Sequence, residues 1–239
     1  MAIHYRTLGL ILGKTDRGEA DQVLRVYTKD FGKLDISAKA IRKITSKLRS
    51  GADLFYSSEV EFIQGKRQKT LTDAVAVDKF GNIRKDLDKL KVASQIAETF
   101  DDLVHGQEKD GELFNLLNEV FNKLNDCRES IVSLIYYYFF WNLFFLLGYQ
   151  VDLYNCVICQ GKLFPSELYF SVEDGGIVCG ACLNKAAKCG TITADVIKII
   201  RLFIRKDWKT LEKLKIEKEY LDSLKLIAEN CLSYYKKAE

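Results

Sequence analysis

The sequence predicts an α+β chain, with a small five-stranded β-barrel over residues 1–80 and a helical body over 81–239. A cysteine ribbon is inserted in that body at about 154–185. Three observations predict this. Short apolar or alternating runs divided by turn-forming residues fill the first eighty positions. Apolar residues recur at three- and four-residue steps after Gly81. Two Cys-x-x-Cys pairs, Cys156/Cys159 and Cys179/Cys182, stand 19 residues apart. At 239 residues the chain is long enough for two or three small domains with real cores.

In the first segment, Thr7–Leu12, Val23–Thr28 and Lys33–Ala40 read as strands. Thr15-Asp16-Arg17-Gly18 and Asp30-Phe31-Gly32 separate them as turns. Leu54–Ile63 and Thr70–Val77 follow, joined across the hairpin Gln64–Lys69. Five strands in eighty residues is the size and strand count of an OB-type barrel. Leu87, Leu90, Ala93, Ile96, Ala97 and Phe100 then mark one face of a helix, and Leu113, Leu116, Leu117, Val120, Phe121 and Leu124 mark a second. A third helix runs from about Arg128 to Leu147, closed by Gly148. After the ribbon, Thr193 caps a helix through Arg205 with Val196, Ile199, Ile200 and Phe203 inward. Leu221–Tyr235 gives a last amphipathic helix.

The third helix needs a membrane test, because Ile131–Leu147 is apolar except for Ser133 and Asn142. It falls just short of the roughly 18–20 residues a span needs. Three consecutive tyrosines and a central Asn favour the buried core helix of a bundle over a lipid-facing one. Nothing at the N-terminus reads as a basic n-region with a cleavage site. The odd remainder of cysteines, Cys127, Cys189 and Cys231, fits a reducing cytoplasm and buried free thiols.

The two cysteine pairs have the spacing of a four-thiolate metal site. Tyr169-Phe170-Ser171, a turn at Gly175-Gly176 and Ile177-Val178 form the hairpin that returns the chain to the second pair. Zn²⁺ suits such a site, since tetrahedral thiolate coordination needs neither redox chemistry nor an open position. A rubredoxin-like iron would use the same ligands. Four thiolates leave no water to activate, so the expected metal is structural.

The net charge is only +3, so affinity for nucleic acid must come from local clustering. Between Ile36 and Ala52 stand Lys39, Arg42, Lys43, Lys47 and Arg49 with no acidic residue, and Ser37, Thr45, Ser46 and Ser50 lie among them. Lys66, Arg67 and Lys69 form a second acid-free group on the hairpin tip, to which Arg17 and Arg25 add. Such a surface can track a phosphate backbone, with affinity falling as salt rises. A merely solvated face has the same composition, and the barrel favours the binding reading. Of the aromatics in this half (Tyr27, Phe31, Phe55, Tyr56, Phe62), most suit core packing. Tyr56, directly after the basic segment, is the candidate for base stacking.

No catalytic set is legible. His4 and His105 have no evident nucleophile partner. Gly9-x-x-x-Gly13-Lys14-Thr15 is one residue short of a phosphate loop and leads into a strand where such a loop opens a helix. The expectation is a non-enzyme.

Several runs resemble the bacterial recombination-mediator RecO family. They are Gly18-Glu19-Ala20-Asp21 followed by Thr28-Lys29-Asp30-Phe31-Gly32-Lys33-Leu34, and Ala38-Lys39-Ala40 with Arg42-Lys43 and Ser46-Lys47-Leu48-Arg49. Leu146-Leu147-Gly148-Tyr149 with Asp152-Leu153 then leads to the first cysteine pair. The resemblance covers nearly the whole length. It implies DNA repair and recombination at single-stranded gaps: binding of single- and double-stranded DNA, and annealing of complementary strands. It also implies partnership with RecR, a functional link to RecF and RecA, and docking of the acidic C-terminal tail of the single-stranded-DNA-binding protein. Localisation would be cytoplasmic and nucleoid-associated. Arg201, Phe203, Arg205, Lys206 and Trp208 are the candidate dock for that tail. Three departures stand out: Ala40 where the family usually has Gly, no proline near Ala52–Phe55, and Tyr235 in place of a histidine.

Overall fold

The computed structural model describes residues 3–238 and divides the chain into two compact units, residues 1–127 and 128–239. In the first, β1 (His4–Arg17), β2 (Asp21–Thr28), β3 (Gly32–Ala38), β4 (Ser57–Gln64) and β5 (Lys69–Asp78) close a barrel in the order β1-β2-β3-β5-β4. All neighbours are antiparallel except β3 and β5, which pair in parallel through Ile36–Lys69 and Ser37–Thr70. This is the OB topology. Leu24, Val26, Leu34, Ile36, Val60, Phe62 and Leu71 alternate inward to fill the barrel. Several strand boundaries differ from expectation, and two have a clear cause. β1 continues through Thr15–Arg17 because those residues keep pairing with Asp21–Val23. β4 starts at Ser57 because Phe55 takes a left-handed φ of 62° that breaks the extended run.

Helices α1 (Gly81–Lys85), α2 (Leu87–Leu103) and α3 (Gly111–Asp126) belong to the same compact unit. Asp86 and Asp110 cap α2 and α3, each accepting two backbone N–H bonds. Phe100 meets Tyr27 edge-on at 4.7 Å, and Phe121 lies 5.6 Å from Phe55, so these helices pack on the barrel through aromatic side chains. Lys89 is buried. Its amine donates to the Asn125 and Cys127 carbonyls at 2.8 Å, satisfying oxygens exposed at the end of α3.

The second unit is built on α4 (Val132–Leu146), followed by the ribbon strands β6 (Leu168–Ser171), β7 (Gly176–Cys179) and β8 (Cys189–Thr191). Then come α5 (Ala194–Ile204), α6 (Trp208–Leu211) and α7 (Lys218–Ala238). The stretch Glu129–Leu146 is long and apolar enough to cross a membrane by length and composition, yet 61% of it is buried inside the protein. Its polar centre is satisfied internally: the Asn142 amide donates to the Tyr138 and Phe203 carbonyls at 2.8 and 3.0 Å. Trp141 meets Phe170 of the ribbon, and Phe144 meets Tyr235 of α7. The helix is the core of the unit. Gly148 closes it at φ 86°, and Thr193 Oγ1 accepts the Val196 N–H at the start of α5.

Ala40 takes the left-handed backbone that glycine would favour, with φ 53°. Its N–H is held by Asp21 Oδ1 at 2.7 Å, so the turn keeps its geometry at the expense of strain. Ala40→Gly should therefore raise stability, by about 1 kcal/mol in a chemical denaturation curve, against the loss Gly causes at ordinary positions.

Candidate metal centre and basic surface

The ribbon begins with a tight turn in which the Cys156 carbonyl accepts the Gln160 N–H at 2.8 Å and the Cys156 N–H donates to Gly161 at 2.9 Å. β6 and β7 return the chain to Cys179, and a 3-10 turn over Gly180–Lys185 carries Cys182. The four Sγ atoms of Cys156, Cys159, Cys179 and Cys182 lie within 4.8 Å of one another, with Cys159 and Cys179 at 4.0 Å. A regular tetrahedron with metal–sulfur bonds of about 2.3 Å sets sulfur–sulfur separations near ~3.8 Å, so one ion fits all four. A disulfide, at about 2.0 Å, does not.

The electrostatics suit thiolates. Burial alone would push the Cys156 thiol up, but N–H groups of Cys159, Cys179 and Ile158 aim at its sulfur and bring it well below the ordinary thiol range. Burial and the three neighbouring sulfurs push Cys182 up, as expected where four thiols crowd together without a cation. Cys156 and Cys182 are buried, and Cys159 is exposed. The other thiols are not part of this group of four: Cys127 bonds the Leu124 carbonyl, Cys189 packs beside the cluster and bonds the Ala187 carbonyl, and Cys231 is fully buried.

The basic residues of the first unit come from three segments. Arg17 at the β1–β2 tip donates to Gln68 Oε1 at 2.9 Å, which joins that tip to the β4–β5 hairpin carrying Lys66, Arg67 and Lys69. The turn after β3 is tied to the same tip: the Arg42 N–H donates to Ala20 O at 3.0 Å, and the Arg42 guanidinium pairs with Asp16 at 3.1 Å. Lys39, Arg42, Lys43, Lys47, Arg49, Lys66 and Arg67 are exposed, and Lys69 is half-buried. Among the described residues, no ion pair engages Lys43, Lys47, Arg49, Lys66 or Arg67. Arg25 stands apart from this group, because its guanidinium pairs with Asp101 of α2. Tyr56 is half-buried with the Arg84 guanidinium 4.6 Å over its ring, so one face is already taken.

Sequence reasoning missed one member. Lys14, dismissed as a phosphate-loop lysine, sits within β1 and lines a polar cavity of about 270 Å³ with Gln22, Arg42 and Arg49. Asp53 holds Lys14 at 2.8 Å and Arg84 at 3.0 Å. The signal was a lone lysine at the end of an apolar run in the strand, which acquires meaning only once Asp53 folds back on it.

In the second unit, Phe203 is fully buried, so it supports the surface from beneath. The exposed ring there is Tyr154, with the Arg201 guanidinium 4.3 Å over its face and Arg205 donating to its hydroxyl at 2.9 Å. Lys206 is exposed, and Trp208 is half-buried against Tyr138 with its indole N–H on Glu212.

Residues 1–80 match the family model described as Recombination protein O N terminal, and residues 84–237 match Recombination protein O C terminal. The chain belongs to the recombination protein O family. A DNA repair protein RecO from Dehalococcoides mccartyi (strain 195) is 32% identical over 222 residues, covering 93% of this chain and 87% of the relative. A RecO from Halalkalibacterium halodurans is 25% identical over 224 residues, covering 93% and 86%. One from Thermoanaerobacter sp. is 29% identical over 222 residues, covering 92% and 88%. Family membership carries a role in DNA repair, and RecO proteins are repair mediators. His4 Nδ1 lies 2.7 Å from Glu61, and Gly9–Thr15 lies within β1, with a register shift against β2 between Ile11 and Gly13.

The Asp53 node is sensitive to acid. Burial alone would raise the Asp53 carboxyl, but Lys14, the Leu54 N–H and Arg84 outweigh it and hold the group below the usual carboxylate range. A depressed folded value means that the node's stability is complete above about pH 4 and is lost as pH falls through the folded value. Melting temperatures between pH 2 and 6 should fall more steeply for the native chain than for Asp53→Asn, which has no such carboxylate to protonate.

Proposed function

We propose that this chain is an ATP-independent mediator of DNA repair. On this reading it binds single- and double-stranded DNA along the barrel, anneals complementary strands, and with RecR helps load the recombinase RecA at gaps, in functional connection with RecF. The observation that carries the reading is the convergence of Arg17, the 39–49 segment and the β4–β5 hairpin at one region of a closed barrel. Annealing requires only that two polyanions be held together while base pairing supplies the free energy. A cationic surface with no nucleotide site suffices. Lys39, Arg42, Lys43, Lys47, Arg49, Lys66, Arg67 and Lys69 are assigned to phosphates with Arg17, and Arg25 contributes to the local field while paired to Asp101. Such a role places the protein in the cytoplasm, at the nucleoid.

The four thiolates are assigned to Zn²⁺. Four sulfurs within 4.8 Å of one another and N–H groups aimed at the Cys156 sulfur support a closed site. The metal's contribution would be to fix the ribbon, with no ligand position left for chemistry. In the second unit, Tyr154 between Arg201 and Arg205 offers an aromatic and cationic dock suited to the acidic tail of the single-stranded-DNA-binding protein, with Lys206 beside it and Phe203 and Trp208 as support.

Annealing of complementary oligonucleotides without ATP, across a salt series, tests the DNA assignment. Arg42→Ala, Lys43→Ala and Lys47→Ala together should abolish annealing and flatten the slope of log affinity against log salt by about 2–3. An unchanged slope removes this surface from the proposal. For the metal, one zinc per chain is expected by elemental analysis. Cys179→Ser should lose it and lower the melting temperature, as chelation should.

A further inference from the structure

Beside the β4–β5 hairpin the barrel carries a second feature, built from rings and amides. Tyr5 on β1 and Phe62 on β4 face each other in register, and their rings stack at 5.5 Å with planes 20° apart. Phe31, from the β2–β3 turn, stands edge-on to both at 5.6 Å. These rings floor a cavity of about 420 Å³, within the range of about 300–1,000 Å³ typical of small-ligand sites. Tyr5 and Phe31 are half-exposed.

The walls are held firmly. Thr28 Oγ1 accepts the Phe31 N–H at 3.1 Å and donates to the Gly32 carbonyl at 2.8 Å, which fixes the turn that presents Phe31. The loop after α2 crosses close by: a Cβ on Gly32 would collide with the Gln107 and Glu108 carbonyls, and Gly32 has a φ of 64°. Lys33 donates to the Val104 carbonyl at 3.2 Å and Tyr27 to the Asp110 carbonyl at 3.5 Å, tying both ends of that loop. Gln107 and Lys109 are thereby set across the opening from Gln64 and Lys69. The acidic residue at the rim, Asp30, is engaged by the Thr7 hydroxyl at 2.7 Å.

We propose that this cavity receives an unpaired nucleobase of a bound DNA strand, stacked on Tyr5 and Phe31. This rests on the DNA-binding reading above and deepens it. Stacking on half-exposed rings is sequence-tolerant, because every base has a π-face. Two glutamine amides supply both donors and acceptors for a base edge. Lys69 and Lys109 flank the opening where the adjoining phosphates must lie, and Lys69 continues into Lys66 and Arg67. A base inside a duplex is covered by its neighbours and cannot enter. The site therefore selects unpaired strand, while the basic segment after β3 serves any phosphate backbone.

The test uses the full chain with a single-stranded oligonucleotide carrying 2-aminopurine, the matching duplex, and free deoxyadenosine monophosphate as competitor. Tyr5→Leu and Phe31→Leu keep apolar volume, and their melting curves report folding. Wild type should change the 2-aminopurine emission on binding. Both variants should lose that response and bind the single strand about tenfold more weakly, with duplex affinity and the salt slope unchanged. Lys109→Gln, on an exposed loop, should keep the response and lower the single-strand salt slope by about 0.7. It keeps the proposal testable even where a core variant unfolds. An unaltered emission response and affinity in the leucine variants, or an unaltered slope in Lys109→Gln, overturns the pocket while the salt-dependent binding of wild type leaves the broader reading standing. Wild type that binds no oligonucleotide at low salt overturns both. Competition by the free mononucleotide at oligonucleotide concentrations overturns the strand as occupant.

Discussion

Closure of the barrel through β3 and β5 is the constraint on which the rest of the first unit depends. An antiparallel β1-β2-β3 meander and an antiparallel β4-β5 hairpin can join on one side through β1 and β4, but the other side closes only if β3 meets β5 in parallel. β5 lies between β3 and β4 in the barrel, so the chain must cross over between Ala38 and Ser57 before β4 can begin. That crossover carries Lys39, Arg42, Lys43, Lys47 and Arg49. It is anchored where it passes the sheet: Ser58 Oγ donates to the Gly51 carbonyl at 2.6 Å, Phe55 N–H to Ile11 at 2.8 Å, and Ile11 N–H to Tyr56 at 3.0 Å. Gly51 lies so close to the Ala74 carbonyl that any Cβ would overlap it. A segment required by topology thus becomes a rigid platform for charge.

The second unit solves a different problem. Its ribbon strands are three to four residues long, too short to bury a core of their own. Two things compensate for this. The thiolate cluster ties the turn after Asn155 to the end of β7, and Phe170 leans on Trp141 of α4. An apolar helix such as α4 needs cover on every side. α5 and α7 supply part of it and the ribbon supplies another part, so the cysteine cluster and the helical core support one another.

Much of this was legible in the sequence, and what was not has physical causes. The helices appeared almost as they fold, because Leu, Phe and Ile at three- and four-residue steps can bury only one way, and Asp or Thr caps mark their starts. The cysteine pairs announced their own proximity, since their spacing is itself a geometric statement. Strand ends were harder: β1 runs through Thr15–Arg17 because Asp21–Val23 happen to lie opposite, a fact of pairing that no local residue carries. Side-chain partners were hardest of all. Arg25 and Arg17 look alike in sequence, yet one meets Asp101 of a distant helix and the other meets Gln68. Phe203 is buried against α4, as its inward place in the helical pattern predicts, while Tyr154 sits in a loop with its ring exposed beside two arginines that lie about fifty residues on. The Tyr5–Phe31–Phe62 cavity depends on a loop seventy residues away in the chain, and no motif foreshadows it.

The carboxylates within the basic surface bear on how a mediator must behave. Asp16 pairs with Arg42, and Asp53 holds Lys14 and Arg84, so the phosphate-facing charge is less than a count of lysines and arginines suggests. Each phosphate contact formed releases counterions and strengthens binding at low salt. A surface of many uncompensated cations would hold DNA too tightly to let a newly paired duplex leave. Interleaved carboxylates moderate that hold while keeping the guanidinium and amine groups fixed in place, which lowers the entropy lost when a phosphate arrives. On the proposed reading, the exposed and unpaired Lys43, Lys47 and Arg49 make first contact with a strand, and the paired Arg42 and Lys14 set how long it stays. On the same reading, the proposed base cavity then favours the unpaired strand over the product. As pairing removes bases from the cavity, the stacking contribution disappears, and release of the duplex follows from the same geometry that captured the single strand.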